Sequence, residues 1–139
     1  MGKTPERAIL LIEDNADVVR FLLRLLEPLG AEVVAVADGE AARRASKKAP
    51  PDLMLVDLVL PGMSGLDAVR AIKKDDPRLA ATPVVVLTAH PSPDNIREAV
   101  DLGVVDYLVK PTFLSEAGLD RIRRALEAAP KAPAPRLKG

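Results

Sequence analysis

At 139 residues with 48% apolar side chains, and with no apolar run near the ~18 residues of a membrane span, the chain suits one domain with a real core. Its 20 basic and 20 acidic residues give a net charge of +0, which argues against broad nucleic-acid binding, and aromatics at 2% leave no stacking platform for single strands. No cysteine is present, which excludes disulfides and thiolate metal sites and fits a reducing cytoplasm, and "MGKTPER" lacks the hydrophobic stretch of a secretory signal.

Residues 1–7 read as an N-terminal tail. The first apolar run, "AILLI" (8–12), predicts a strand and leads into two adjacent acids, Glu13 and Asp14. Asn15 and Asp17 then read as helix starters for "ADVVRFLLRLLEPLG", where Val18, Leu22, Leu25 and Leu29 share a face. Pro28 predicts fraying near Glu27, and Gly30 suits the residue just past the helix. Next come a strand, "EVVAV" (32–36), and a helix, "GEAARRASKKA". The third pair is "LMLVD" (53–57) and "GLDAVRAIKKD". "PVVVLT" (83–88) precedes "SPDNIREAVDLG", in which Ser92 or Asp94 is a candidate cap and Gly103 a stop. "VDYLV" (105–109) precedes a fifth helix over 114–128, with Ile122, Ala125, Leu126 and Ala129 at helical spacing and Gly118 weakening its first turn. Residues 129–139, which include "PKAPAPRLKG", read as a Pro-rich disordered tail or linker.

Five β-α units imply a doubly wound parallel sheet, whose strands, covered on both faces, read as continuous apolar runs. Ligands of such sheets bind beyond the carboxyl ends of the strands. Those ends carry Glu13-Asp14, Asp57, Thr88 and Lys110: three acids, one hydroxyl and one amine. A polar residue at any one strand end, Thr88 included, needs no explanation beyond contact with water. Asp57 differs, because it closes an apolar run. Two unit charges at about 4 Å repel by about 4 kcal/mol at an effective dielectric near 20, so three neighbouring carboxylates call for protons or a cation. With one histidine and no cysteine, the donors are hard oxygens, which suit Mg²⁺ together with a phosphate oxygen. Asp57 is then the natural nucleophile, with Lys110 and Thr88 left to hold the anion.

From about Ala8 to Ala128 the sequence resembles the receiver domain of two-component response regulators. The resemblance rests on Glu13-Asp14, on "DLVLPGMSG" (57–65) against the family's D-x-x-[LM]-P-x-M-x-G loop, on Thr88, and on "YLVKP" (107–111). It implies a receiver domain over 8–128 with a flavodoxin-like fold: five helices around a five-stranded sheet in the order 2-1-3-4-5, an order taken by analogy with chemotaxis-regulator-like proteins. It also implies that Asp57 accepts a phosphoryl group from a sensor histidine kinase, a phosphotransfer protein or a small acyl phosphate. Glu13, Asp14, Asp57 and the main-chain carbonyl of Val59 would hold Mg²⁺. Lys110, joined to Pro111 by a cis bond, would pair with the phosphoryl oxygens, and Thr88 and Tyr107 would form the switch. The output surface would be helix four, strand five and helix five, near Arg97, Asp101, Tyr107 and Arg121, and would permit a phosphorylation-dependent dimer.

Two features depart from the family's common pattern. Thr112-Phe113 follows the lysine-proline pair where phenylalanine often comes at once. Val59 and His90 occupy positions that tune phosphoryl loss, and an apolar Val59 predicts a long-lived phospho-form. His90 itself reads more simply as a solvent-facing loop residue, and the basic runs "ARRASKK" and "RIRR" as solvated helix faces. Two rival readings remain. A Mg²⁺-dependent phosphohydrolase would also use Asp57, but such sites commonly place an acid where Val59 stands. A dinucleotide-binding fold is weak, because "EDNADV" lacks the glycines that admit a pyrophosphate.

Overall fold

The computed structural model describes residues 7–89, 91, 93–109 and 114–133. Five strands, β1 (Ala8–Ile12), β2 (Glu32–Val36), β3 (Leu53–Asp57), β4 (Val84–Thr88) and β5 (Val104–Val109), form one parallel sheet in the order β2-β1-β3-β4-β5. Five helices alternate with them: α1 (Ala16–Leu26), α2 (Gly39–Lys48), α3 (Gly65–Asp75), α4 (Pro93–Asp101) and α5 (Glu116–Ala128).

Side chains alternate across each strand, so one apolar run feeds two cores. Ile9, Leu11, Leu53, Leu55, Val85 and Leu87 face α1 and α5, where they meet Leu22, Leu26, Ile122 and Leu126. Leu10, Ile12, Met54, Val56, Val84 and Val86 point the other way, toward Leu66, Val69 and Ile72 of α3, Ala42 of α2 and Ala99 of α4. Every residue of β4 is buried, whereas β2, at the sheet edge, exposes Glu32 and Ala35.

The helix ends follow local chemistry. The Asn15 side chain caps α1 by accepting from the amides of Asp17 and Val18. The helix stops at Leu26, a 3₁₀ turn carries Pro28, and Gly30 takes a left-handed φ of 67°. Gly103, at φ 78°, follows α4 in the same way. Two expectations need correction. α4 begins at Pro93, so Asp94 lies inside its first turn rather than capping it, and Ser92 is outside the described residues. α5 begins at Glu116 rather than 114, because the Ser115 hydroxyl accepts from the Gly118 amide and fixes the start there.

At the amino ends of the strands a carboxylate ties three segments together. Asp52 is 4% exposed; it accepts from the amides of Ala8 at 2.7 Å and Ala132 at 2.6 Å, with the Arg7 guanidinium 3.7 Å away. Arg7 also donates to the Ala129 carbonyl at 3.0 Å. Contacts therefore continue past the end of α5. Asp52→Ala would leave two part-buried donors without an acceptor, and we expect it to lower the free energy of unfolding by about 1–3 kcal/mol and to release the Ala132 amide. Urea denaturation with amide exchange tests this; a protected Ala132 in a variant of undiminished stability would refute it.

Candidate metal and phosphoacceptor site

The geometry of the acid cluster is set by strand pairing. Ile12 pairs with Val56 in the β1–β3 ladder, so Glu13 and Asp57 leave the sheet side by side. From β1 the chain crosses to β2 on one flank, and β3 lies on the other, so the loops diverge and leave a crevice at this point of the sheet. The crevice is lined by Glu13, Asp14, Asn15, Val18, Asp57, Val59, Leu87 and Ala89. Carboxylate oxygens of Glu13, Asp14 and Asp57 lie within 4.8 Å of one another.

The three acids differ in surroundings. Glu13 is 6% exposed, Asp57 is half-buried, and Asp14 is open to water. Burial pushes the Glu13 carboxyl up from 4.5 to about 7; the Asn15 amide, donating at 3.0 Å, opposes the rise, and the neighbouring Asp57 adds to it. Asp57 is also raised, chiefly by burial, while the Val59 amide, donating to its Oδ1 at 3.2 Å, pulls the other way. Carboxylates that burial keeps from ionising readily, set this close together, are suited to sharing a cation. The donors are oxygens alone, which fits Mg²⁺ and gives softer ions no preferred ligand.

The loop after Asp57 is tight. The Gly65 amide donates to the Leu58 carbonyl at 2.9 Å, and Val59 and Ser64 form an antiparallel bridge. A Cβ on Gly65 would lie 1.9 Å from the Asp57 carbonyl oxygen, so glycine is the residue that lets α3 start against the end of β3. The sequence motif contains this glycine without revealing its role. Its only signal there is its place as the motif's last residue.

Of the other expected residues, Thr88 is buried at the end of β4, beside the acids' strand. Tyr107 lies in register with Val86 on β5 and packs, half-buried, against the core beneath α3 and α4. Arg121 is held by Asp106, whose Oδ2 accepts from its Nε at 2.8 Å. Arg97 and Asp101 are exposed on α4. Lys110, Pro111 with its expected cis bond, Thr112-Phe113 and His90 lie outside the described residues. Sequence reasoning missed the apolar neighbours of the α4–β5 face: Ile96, Val100 and Val105 are 44%, 69% and 57% exposed.

A family model described as the response regulator receiver domain matches residues 9–123. The chain is 32% identical over 131 residues to the DNA-binding response regulator MtrA of Mycobacterium tuberculosis, covering 94% of this chain and 55% of MtrA, so it spans about half the length of that relative. The Mn²⁺-bound form of the response regulator Rcp1 is 28% identical with a TM-score of 0.71, the match covering 92% of this chain and 99% of Rcp1. The phosphorylated cyanobacterial phytochrome response regulator RcpA is 34% identical with a TM-score of 0.68, covering 88% and 91%.

The raised Glu13 carboxyl has a consequence for stability. Because its folded value lies above the ordinary one, its stabilising contribution is full below about pH 4.5 and is lost as pH rises through about 7. In chelator, the wild type should lose about 2 kcal/mol more than Glu13→Gln between about pH 5 and about pH 8. Saturating Mg²⁺ should restore much of that loss. Parallel denaturation curves for the two proteins would refute the assignment.

Proposed function

The chain belongs to the response regulator receiver family of two-component systems, and on that premise we propose that it is a Mg²⁺-dependent phosphoacceptor switch with Asp57 as the acceptor. The observation that carries this reading is the half-buried Asp57 within 4.8 Å of Glu13 and Asp14 at the crevice of the sheet. An Asp57 carboxylate oxygen bonds to phosphorus as the bond from phosphorus to a histidine nitrogen or an acyl oxygen breaks, its electron pair leaving with the donor group. Glu13, Asp14, Asp57 and the Val59 carbonyl would hold the ion. When bound, Mg²⁺ supplies positive charge that offsets the carboxylates and the incoming phosphoryl oxygens. The manganese in Rcp1 and the phosphorylation of RcpA support the reading by likeness of fold and sequence.

The Val59 amide orients Asp57, and the burial of Glu13 keeps water from one side of the acids. Thr88 and Lys110 would take the phosphoryl oxygens, each bond to a charged group contributing roughly 1.5–3 kcal/mol. A complete 1:99 to 99:1 switch requires about 5.5 kcal/mol, so these two bonds bring it within reach. The Tyr107 ring would follow Thr88 and alter the surface formed by α4, β5 and α5, where Ile96, Val100 and Val105 already present apolar area. A sensor histidine kinase or phosphotransfer protein would be the donor, in the cytoplasm; among the described residues no helix is long and apolar enough to cross a membrane.

Incubation with acetyl phosphate and Mg²⁺ should add the mass of one phosphoryl group to the wild type and none to Asp57→Ala. An unmodified wild type, or catalytic turnover of phosphate esters, would sink the proposal. Val59, 68% exposed beside Asp57, has no group to orient an attacking water, which supports a long-lived phospho-form. Val59→Asn should therefore lose radiolabel several-fold faster than the wild type, and equal decay would count against that part.

A further inference from the structure

The loop between β3 and α3 is closed at its neck by the Gly65–Leu58 hydrogen bond and the Val59–Ser64 bridge. Its far side is anchored on an element that contributes nothing to the acid crevice. The Met63 side chain lies across Gly39, the first residue of α2: a Cβ there would fall 2.3 Å from Met63 Sδ and 2.7 Å from its Cγ. Gly39 is buried, and its φ is not among the left-handed ones. Its backbone therefore does not ask for glycine. The Asp38 side chain, accepting from the Ala41 amide at 2.8 Å, already starts α2 without help from residue 39. What Gly39 supplies is a slot for a thioether.

We infer that Gly39 and Met63 are positioning residues for the phosphoacceptor, acting through the loop that joins them to Asp57. Met63 precedes Ser64, Ser64 pairs with Val59, and the Val59 amide donates to Asp57 Oδ1 at 3.2 Å. Filling the slot turns the flexible Met63 side chain off α2, and a loop that has lost this anchor holds the Val59 amide and the carbonyl proposed to hold the ion less firmly. This rests on the reading of the crevice as a Mg²⁺-dependent phosphoacceptor.

The test is a double-mutant cycle on the full chain, with Mg²⁺ affinity from calorimetry, acetyl-phosphate phosphorylation rate, and unfolding curves showing each variant folded at the assay temperature. Gly39→Ala should weaken Mg²⁺ binding by roughly tenfold, the low end for groups that support metal ligands from behind. Met63→Ala should also weaken it. Adding Gly39→Ala to Met63→Ala should cost nothing further, because the truncation removes the atoms that Cβ would strike. A merely structural role would lower stability in both backgrounds while leaving affinity untouched. Affinity and rate within about twofold of wild type for Gly39→Ala, or an equal loss in the Met63→Ala background, would overturn the inference. If Gly39→Ala does not fold, an unaltered affinity in Met63→Ala overturns it alone. A wild type that binds no Mg²⁺ and takes no phosphoryl group overturns the phosphoacceptor reading as well, so the two failures are distinct.

Discussion

The β1–β3 register governs the rest of the site. With Ile12 opposite Val56, the next residue on each strand is an acid, and neither can move away from the other without breaking the central ladder of the sheet. Each carboxylate is thus held near like charge by many hydrogen bonds and a core on both faces, which together outweigh a repulsion of a few kcal/mol. A slip of one residue would turn the apolar faces of β1 out of both cores. The fold therefore holds carboxylates where ionisation is disfavoured, by burial first and by like charge second, and the raised Glu13 and Asp57 carboxyls are its visible sign.

Around that pair the helices divide the labour. α1 and α5 cover one face, and α2, α3 and α4 cover the other, which leaves the carboxyl ends of β1 and β3 to form the crevice. Glycine governs the approach of the second layer at two positions. Gly65 lets α3 start against the Asp57 carbonyl, and Gly39 lets Met63 lie on α2. Both act through missing atoms: a side chain at either position would meet the loop that carries Asp57. Ion pairs that link neighbouring elements, among them Arg43 to Asp75, Arg70 to Glu98 and Arg121 to Asp106, lie toward the surface and brace the layers with little effect on the crevice.

Much of this was legible from residue order. Strand boundaries were clear because buried parallel strands leave unbroken β-branched runs, and the β4 and β5 limits differ from expectation by one residue each. The acids were legible because they end such runs. Less legible were features whose cause lies far off in sequence. Nothing near Asp52 in the sequence marks it out, yet it is buried by partners 44 and 80 residues away. The start of α5 was misplaced because helical periodicity does not say which of several polar residues will cap, and the Ser115 hydroxyl wins. The exposed Ile96, Val100 and Val105 were invisible because composition cannot distinguish an apolar residue turned outward from one in the core.

The Asp52 clamp bears on how the chain is threaded. Because Arg7 reaches Ala129 and Asp52 holds both Ala8 and Ala132, the first strand and the segment after the last helix meet at one point. That point lies at the opposite end of β3 from Asp57, roughly 17 Å of strand away at about 3.3 Å per residue. A short bridge between the two segments would close the chain into a ring without crossing the crevice, and the ring could be opened elsewhere, for instance at the Gly30 turn. The acid cluster is thus a property of the closed β-α circuit rather than of its direction of travel. Circularly permuted forms would carry the same carboxylates at the same spacing.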